Sequence, residues 1–328
     1  MSAEPVPPPS SPVEPTASPP PVDGAGNGQG FRDLAFKISD EEFEGLVRKY
    51  CRDLTELARL GRFDPVIGRE NEIDQLVTVL LHRARSTVAS AGPAGSGKTA
   101  LFTGFAMAVA ADKVPKMLKG ARVIEMEFPT MAAGTNTRGE FEGRVIPFIK
   151  GCGERNLSKR FPPIILCIDE MHTMMPTCKA TAASGVSDIL KPYLTSGDLQ
   201  VIGATTRDEF RVYVAADPAM ERRFQLINLE EPNEDSTIRI IKGLKSKYEA
   251  HFGITVDDLL CEDLVRIATR YLRRQNNPDK SIITLDQSCA RAVKKGLEKL
   301  DWLSVAETVG NQVSVVAHAI EPPSGRKY

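Results

Sequence analysis

The 328-residue sequence predicts an α/β fold, a doubly wound and mostly parallel sheet followed by a small C-terminal helical lobe. Three observations predict it. From residue 63 to about 232, short apolar strand patterns alternate with helical ones, the arrangement of a sheet with helices on both faces. Ile164-Ile-Leu-Cys-Ile168 is apolar at every position, as a strand covered on both faces must be. From residue 233 the strand patterns stop and three helical stretches follow.

The elements follow in chain order. Residues 1–30 are rich in Pro and then in Gly. Such a segment buries too little apolar surface to offset its ordering entropy, which predicts a disordered arm. The run Gly24 to Gly30 has no strand before it and no helix directly after it, so it is not read as a dinucleotide fingerprint. Residues 31–62 are expected to form a helical lead-in, with one helix over 39–60. Ser39 can cap that helix, and Asp40, Glu41 and Glu42 suit its positive N-terminus. Phe43, Leu46, Val47 and Tyr50 recur at helical spacing. The α/β domain is expected over 63–232, with strands at 86–90, 121–128, 164–168, 199–204 and 224–229 and a helix over 99–111. The lobe is expected over 233–300, with helices near 234–250, 257–274 and 283–300, and residues 301–328 as a tail.

Composition narrows the function. The 42 Lys and Arg against 43 Asp and Glu give a net charge of -1. Nothing global therefore draws the chain to nucleic acid or to an acidic membrane, and no basic recognition helix stands out. No run of about 18 apolar residues offers a spanning helix. The first residues show no signal-peptide pattern, and no Arg precedes Arg32. The six Cys form no C-x-x-C pair, so neither a zinc site nor a disulfide framework is expected. A cytoplasmic setting fits, with an organelle matrix left open.

Gly92-Pro93-Ala94-Gly95-Ser96-Gly97-Lys98-Thr99 matches G-x-x-x-x-G-K-[ST] and runs, through Ala100, into a helical pattern. Its glycines let successive backbone N–H groups face a phosphate, and the helix N-terminus adds its dipole. Lys98 is expected to reach the β- and γ-phosphates and Thr99 to place its hydroxyl on Mg²⁺. The Ile164–Ile168 strand ends in Asp169 and Glu170, at the edge where ligands bind in such sheets. Asp169 is expected in the magnesium shell, through water, and Glu170 as the base that orients and deprotonates the attacking water. Together these features predict Mg-ATP hydrolysis, with ATP and Mg²⁺ as the cofactors.

Longer stretches carry a resemblance. Arg52 through Glu70, Gly134-Thr-Asn-Thr-Arg-Gly-Glu-Phe-Glu142, Gly203-Ala-Thr-Thr-Arg-Asp-Glu-Phe210 and Asp217-Pro-Ala-Met-Glu-Arg-Arg-Phe-Gln225 resemble the first ATPase module of the ClpA/ClpB disaggregase family of AAA+ proteins. Tyr271 through Asp286 resembles that family's helical lobe. The resemblance covers about residues 48–300. It implies an AAA+ P-loop module in which Val66 and Ile67 border the adenine and Thr206 senses the γ-phosphate. Arg222 and Arg223 would be arginine fingers reaching the ATP of a neighbouring subunit. Fingers acting in trans imply a ring, a hexamer of the same or paralogous subunits, working on a protein substrate or partner. In the lobe the resemblance extends a nucleotide-sensing role no further than Lys280.

Three departures from the family shape the functional expectation. Thr137 stands where the family carries a pore-loop aromatic, between Asn136 and Arg138. A Thr offers far less rigid contact area to a threaded chain than an aromatic ring, and Met131 is expected in the core instead. The family's N-terminal substrate domain, middle domain and second ATPase module have no counterpart, which suggests a one-module or truncated member. Asn276 and Asn277 stand where the family is apolar. Two uses of the module stay open: a Clp-type ring ATPase that remodels or unfolds proteins, or a nucleotide-binding regulatory or scaffold subunit that does not thread polypeptide. Among other residues, His172 is expected to hydrogen-bond locally and Cys167 to pack as a small hydrophobe. Lys242, Lys245 and Lys247 are expected on a solvated helix face.

Overall fold

The computed structural model describes residues 38–83, 85–135, 137–158, 160–175 and 186–325. The Pro- and Gly-rich arm and Asn136 lie outside the described residues. The chain opens with α1 (Asp40–Tyr50), β1 (Cys51–Asp53), α2 (Leu54–Arg59) and α3 (Glu70–Leu80). It continues through β2 (Thr87–Ala91), α4 (Lys98–Ala110), β3 (Arg122–Met126), α5 (Phe128–Ala132), α6 (Arg138–Ser158) and β4 (Ile164–Ile168). Then come α7 (Val186–Ser196), β5 (Gln200–Thr205), α8 (Arg207–Glu209), α9 (Pro218–Glu221) and β6 (Phe224–Asn228). Four helices follow: α10 (Glu234–Phe252), α11 (Asp258–Tyr271), α12 (Asp279–Lys294) and α13 (Trp302–Val313).

The sheet order is β1-β3-β4-β5-β2-β6. Every pairing is parallel except β1 with β3. This is the doubly wound sheet expected, with its central strand β4 buried at all five positions. β2 is equally buried although it reads Thr-Val-Ala-Ser-Ala. It lies between β5 and β6, and Ser90 Oγ donates to the carbonyl of Gly203 at 3.0 Å. One face of the sheet packs on Phe43, Phe141 and Phe148 from α1 and α6. The other packs on Leu101, Phe102 and Phe105 from α4.

The single helix expected over 39–60 is corrected to helix, strand, helix. Ser39 does cap α1, its side chain accepting from Glu42 N. The helix then stops, because the exposed edge of β3 offers backbone partners to Cys51, Arg52 and Asp53. Ion pairs fix the register: Arg52 with Glu125 at 3.1 Å and Arg122 with Asp53 at 3.0 Å. Asp53 also caps α2 by accepting from Glu56 N.

The lobe differs at two points. α12 begins at Asp279 rather than near 283, and its buried face is mostly polar. Ser281, Thr284 and Ser288 hide there by donating to Asn277 Oδ1 and to the carbonyls of Lys280 and Thr284, which satisfies each hydroxyl locally. α13 falls in the segment expected as tail, yet Val305, Ala306 and Val309 are buried with residues of α11 and α12. No helix among the described residues is long and apolar enough to cross a membrane.

Candidate nucleotide site

The heads of β2, β4 and β5 meet at one edge of the sheet. The loop after β2 is shaped by its glycines. Gly95 and Gly97 have φ of 75° and 90°, a region that disfavours side chains. A Cβ on Gly92 would lie 2.6 Å from the carbonyl of Leu229. Gly92 N donates to the carbonyl of Thr205, tying the loop to the head of β5. α4 then begins at Lys98 with no side-chain cap and no acidic residue in its first turn, which leaves a positive helix end free for an anion. Pro93 and Ala94 form the tip of the loop, and Ala100 lies in the first turn of α4.

Lys98 is nearly buried, and its ammonium donates to the carbonyls of Gly92 and Pro93 at 3.2 and 3.1 Å. Thr99 Oγ1 donates to Asp169 Oδ2 at 3.1 Å. A hydroxyl and a carboxylate so close form the hard-oxygen donor set that magnesium takes. Glu170 follows in the left-handed region at φ 49°, its side chain exposed. Partial burial and then the nearby carboxylates of Glu209 and Asp169 raise its pKa above the ordinary value.

His172 lies beside this pair. Its Nδ1 is 3.2 Å from Thr205 Oγ1, 3.3 Å from Glu209 and 3.4 Å from Glu170, and its ring stacks on Tyr213. This is the local hydrogen-bonding role expected of it. Thr206 sits at the head of β5. Its hydroxyl accepts from Glu209 N, while Glu209 accepts from Thr206 N, a capping box for α8. A hydroxyl that accepts in this way still has its own proton to donate.

Comparison with known proteins bears on this geometry. Residues 88–230 match the ATPase family associated with various cellular activities (AAA), and residues 233–316 match the AAA lid domain. The chain is 39% identical over 265 residues to the chaperone protein ClpB of Bdellovibrio bacteriovorus, covering 80% of this chain and 30% of that protein. Identity to ClpB of Agrobacterium fabrum is 40% over 268 residues, with coverage of 81% and 30%. The S. cerevisiae Hsp104–ADP complex superposes with a TM-score of 0.73 at 40% identity, over 81% of this chain and 45% of that one. The S. cerevisiae Hsp104–casein complex gives 0.72 at 37%, over 82% and 45%. Residues 88–316 are a ClpB-like AAA+ module. The chain spans about a third of the length of these ClpB relatives and under half of the Hsp104 chains.

Ahead of the ClpB-like module in the chain, Val66 and Ile67 lie against both of its lobes. A Cβ on Gly104 of α4 would meet Val66 at 3.2 Å, and one on Gly243 of α10 would meet Ile67 at 1.9 Å. These glycines make room for the pair beside the loop's helix. Lys280 is buried, and its ammonium donates to the carbonyl of Gln275 at 3.0 Å and lies 3.7 Å from Glu231.

Arg222 and Arg223 follow α9 at the opposite edge of the sheet. Thr87 Oγ1 donates to the carbonyl of Arg223, and Thr87 is the first residue of β2. The phosphate loop follows the last residue of β2, about 13 Å along the strand. The fold therefore does not bring the arginines to the loop of their own chain. Thr137 is exposed before α6, where its hydroxyl accepts from Glu140 N. Arg138 is the first residue of α6, and Met131 is fully buried in the core, as expected.

Sequence reasoning missed Arg69. It is buried, and one guanidinium nitrogen donates to the carbonyls of Ser96 and Glu230 at 2.7 and 2.8 Å. Another pairs with Glu72 at 2.6 Å. Its targets are backbone carbonyls far along the chain, which leave no pattern of residue types to read.

Proposed function

We propose that this ClpB-like module is a ring-forming, Mg-dependent ATPase of the Clp type that remodels or unfolds protein substrates. One observation carries the reading. Lys98, Thr99, Asp169, Glu170 and Thr206 converge at one sheet edge, while Arg222 and Arg223 are held at the other. A chain so built has a hydrolytic half-site on each of two faces, and adjoining copies complete it. In this reading Gly92 to Ala100 hold the phosphates of ATP by backbone N–H groups and the helix end, and Val66 and Ile67 border the adenine. Lys98 balances charge on the β- and γ-phosphates. Thr99 and, through water, Asp169 hold Mg²⁺, which neutralises charge on the phosphoryl oxygens. Glu170 accepts the proton of the attacking water. Thr206 donates to the γ-phosphate. Arg222 and Arg223 of the next subunit stabilise the transferring group, an effect worth about 10³–10⁵ in rate.

A hexameric ring of identical or paralogous subunits satisfies the trans requirement. The described cysteines are all free thiols, which fits a reducing, cytoplasmic setting. Thr137 favours a second reading. An exposed Thr at the pore position suits a nucleotide-dependent regulatory or scaffold subunit that does not thread polypeptide.

Steady-state ATPase activity across protein concentration separates the two, with Glu170→Gln and Arg222→Ala beside the wild type and an unfolded protein added or withheld. The motor reading expects activity that rises with concentration, vanishes in both variants and increases with substrate. ATP binding with slow turnover, indifferent to substrate, supports the scaffold reading.

A further inference from the structure

We propose that Asn276 latches the helical lobe onto the phosphate loop and thereby sets the rate of nucleotide release, a step that rests on the loop's reading as the phosphate site. Asn276 Nδ2 donates to the carbonyl of Ala94 at 3.0 Å. This bond joins the turn before α12 to the tip of the loop, 182 residues away in sequence. The approach is close: a Cβ on Gly95 would lie 2.8 Å from Asp279 Cβ.

The turn that presents Asn276 is held firmly. The adjacent Asn277 is buried, with its N–H donating to Glu231 at 2.7 Å and its amide to Thr269 Oγ1 at 3.0 Å. Its side-chain oxygen accepts from Ser281 at 2.7 Å. Lys280 donates to the carbonyl of Gln275 from the other side of the turn. Asn276 therefore moves with the lobe.

Peptide geometry turns this contact into a constraint on the loop. In a planar trans peptide the C=O and the next N–H point in opposite directions. A carbonyl of Ala94 held toward the lobe sends the N–H of Gly95 away from the lobe. Arg69 does the same from the α/β domain: its grip on the carbonyl of Ser96 at 2.7 Å orients the N–H of Gly97. The same nitrogen holds the carbonyl of Glu230, just ahead of the lobe. Two backbone N–H groups of the loop, donors that the phosphate reading requires, are thus oriented by contacts from the two lobes. When the lobe swings away, the Asn276 bond breaks and the Gly95 peptide is free to turn.

The test is stopped-flow release of a fluorescent (mant) ADP from the full chain, comparing wild type, Asn276→Leu, Asn276→Ser and Lys98→Ala. Loss of one neutral hydrogen bond is expected to raise the release rate of Asn276→Leu and Asn276→Ser severalfold, up to about tenfold. Association and the nucleotide-free melting temperature should stay at wild-type values, a split that a merely structural role would not give. Release as slow as wild type in both folded Asn276 variants overturns the latch and leaves the nucleotide site standing. Wild type that binds mant-ADP no better than Lys98→Ala overturns the nucleotide site and the latch with it.

Discussion

The hydroxyl of Thr87, at the foot of β2, donates to the backbone carbonyl of Arg223. The strand whose head carries the phosphate loop thus anchors the arginine pair at its other end. A side chain at that edge cannot reach back along the sheet to its own loop. Mixing two inactive variants is therefore expected to restore activity. Arg222→Ala subunits keep an intact phosphate site, and Glu170→Gln subunits keep intact arginines. In a randomly mixed ring about a quarter of the interfaces pair a good site with a good arginine. Each variant alone should be inactive and the equal mixture should recover a comparable fraction of wild-type ATPase. A mixture as inactive as its parts would show that the arginines do not act across an interface.

The 3.1 Å bond between Thr99 Oγ1 and Asp169 Oδ2 predicts a metal phenotype. Both groups are hard oxygen donors at the carboxyl edge of the sheet, and Mg²⁺ is commonly held by one or two carboxylates plus phosphates. Asp169→Asn and Thr99→Val should each raise the Mg²⁺ concentration needed for half-maximal ATPase by about tenfold or more. ATP binding measured in excess Mg²⁺ should weaken far less. Unchanged Mg²⁺ titrations in both variants would remove these residues from the metal shell.

The glycine-rich loop is legible in the sequence because its geometry dictates its residue types. Gly95 and Gly97 take positive φ, Gly92 faces a carbonyl at close range, and a phosphate needs Lys98 nearby. The Ile164–Ile168 strand is legible because burial on both faces allows only apolar side chains. β1 is not legible, since Cys51–Asp53 become a strand only where β3 offers an edge. Asp53 then starts a new helix there by capping α2. The start of α12 is obscured because Ser281, Thr284 and Ser288 occupy its buried face. Arg69 and Asn276 were missed as site residues because both act on backbone carbonyls, which any residue supplies.

The five described cysteines are expected to be inert in the folded chain. Cys152 and Cys167 are fully buried, and burial pushes both thiols up. Burial also pushes Cys261 and Cys289 up to about 12, and raises Cys51. The thiolate is the reactive form, so at neutral pH almost none is present. Mass spectrometry after maleimide treatment at pH 7 should find these five sites labelled only when the chain is first unfolded. Rapid native labelling at Cys152 or Cys167 would contradict the packing described for the sheet.

Asp217 gives a pH-dependent test of the arginine platform. Its carboxylate caps α9 by accepting from the N–H groups of Ala219 and Met220, and it pairs with Lys191 at 2.6 Å. The Lys191 hydrogen bond, and then those two N–H groups, hold its pKa below the ordinary 3.8. The group is charged in folded and unfolded chains alike above that value, so its contribution to stability is fully present there. It is lost as the pH falls below 3.8 and through the lower folded value, where the native carboxylate takes up a proton. Asp217→Ala should therefore lower stability by about 1 kcal/mol near pH 7, the usual loss for a helix cap. The gap to wild type should narrow only in strong acid. Urea unfolding at pH 7, 5 and 3 reads this directly. Because α9 ends where Arg222 begins, the same substitution should also lower ATPase activity at pH 7 under conditions where the chain remains folded. A stability gap that closes already between pH 7 and 5 would assign the effect to some other group.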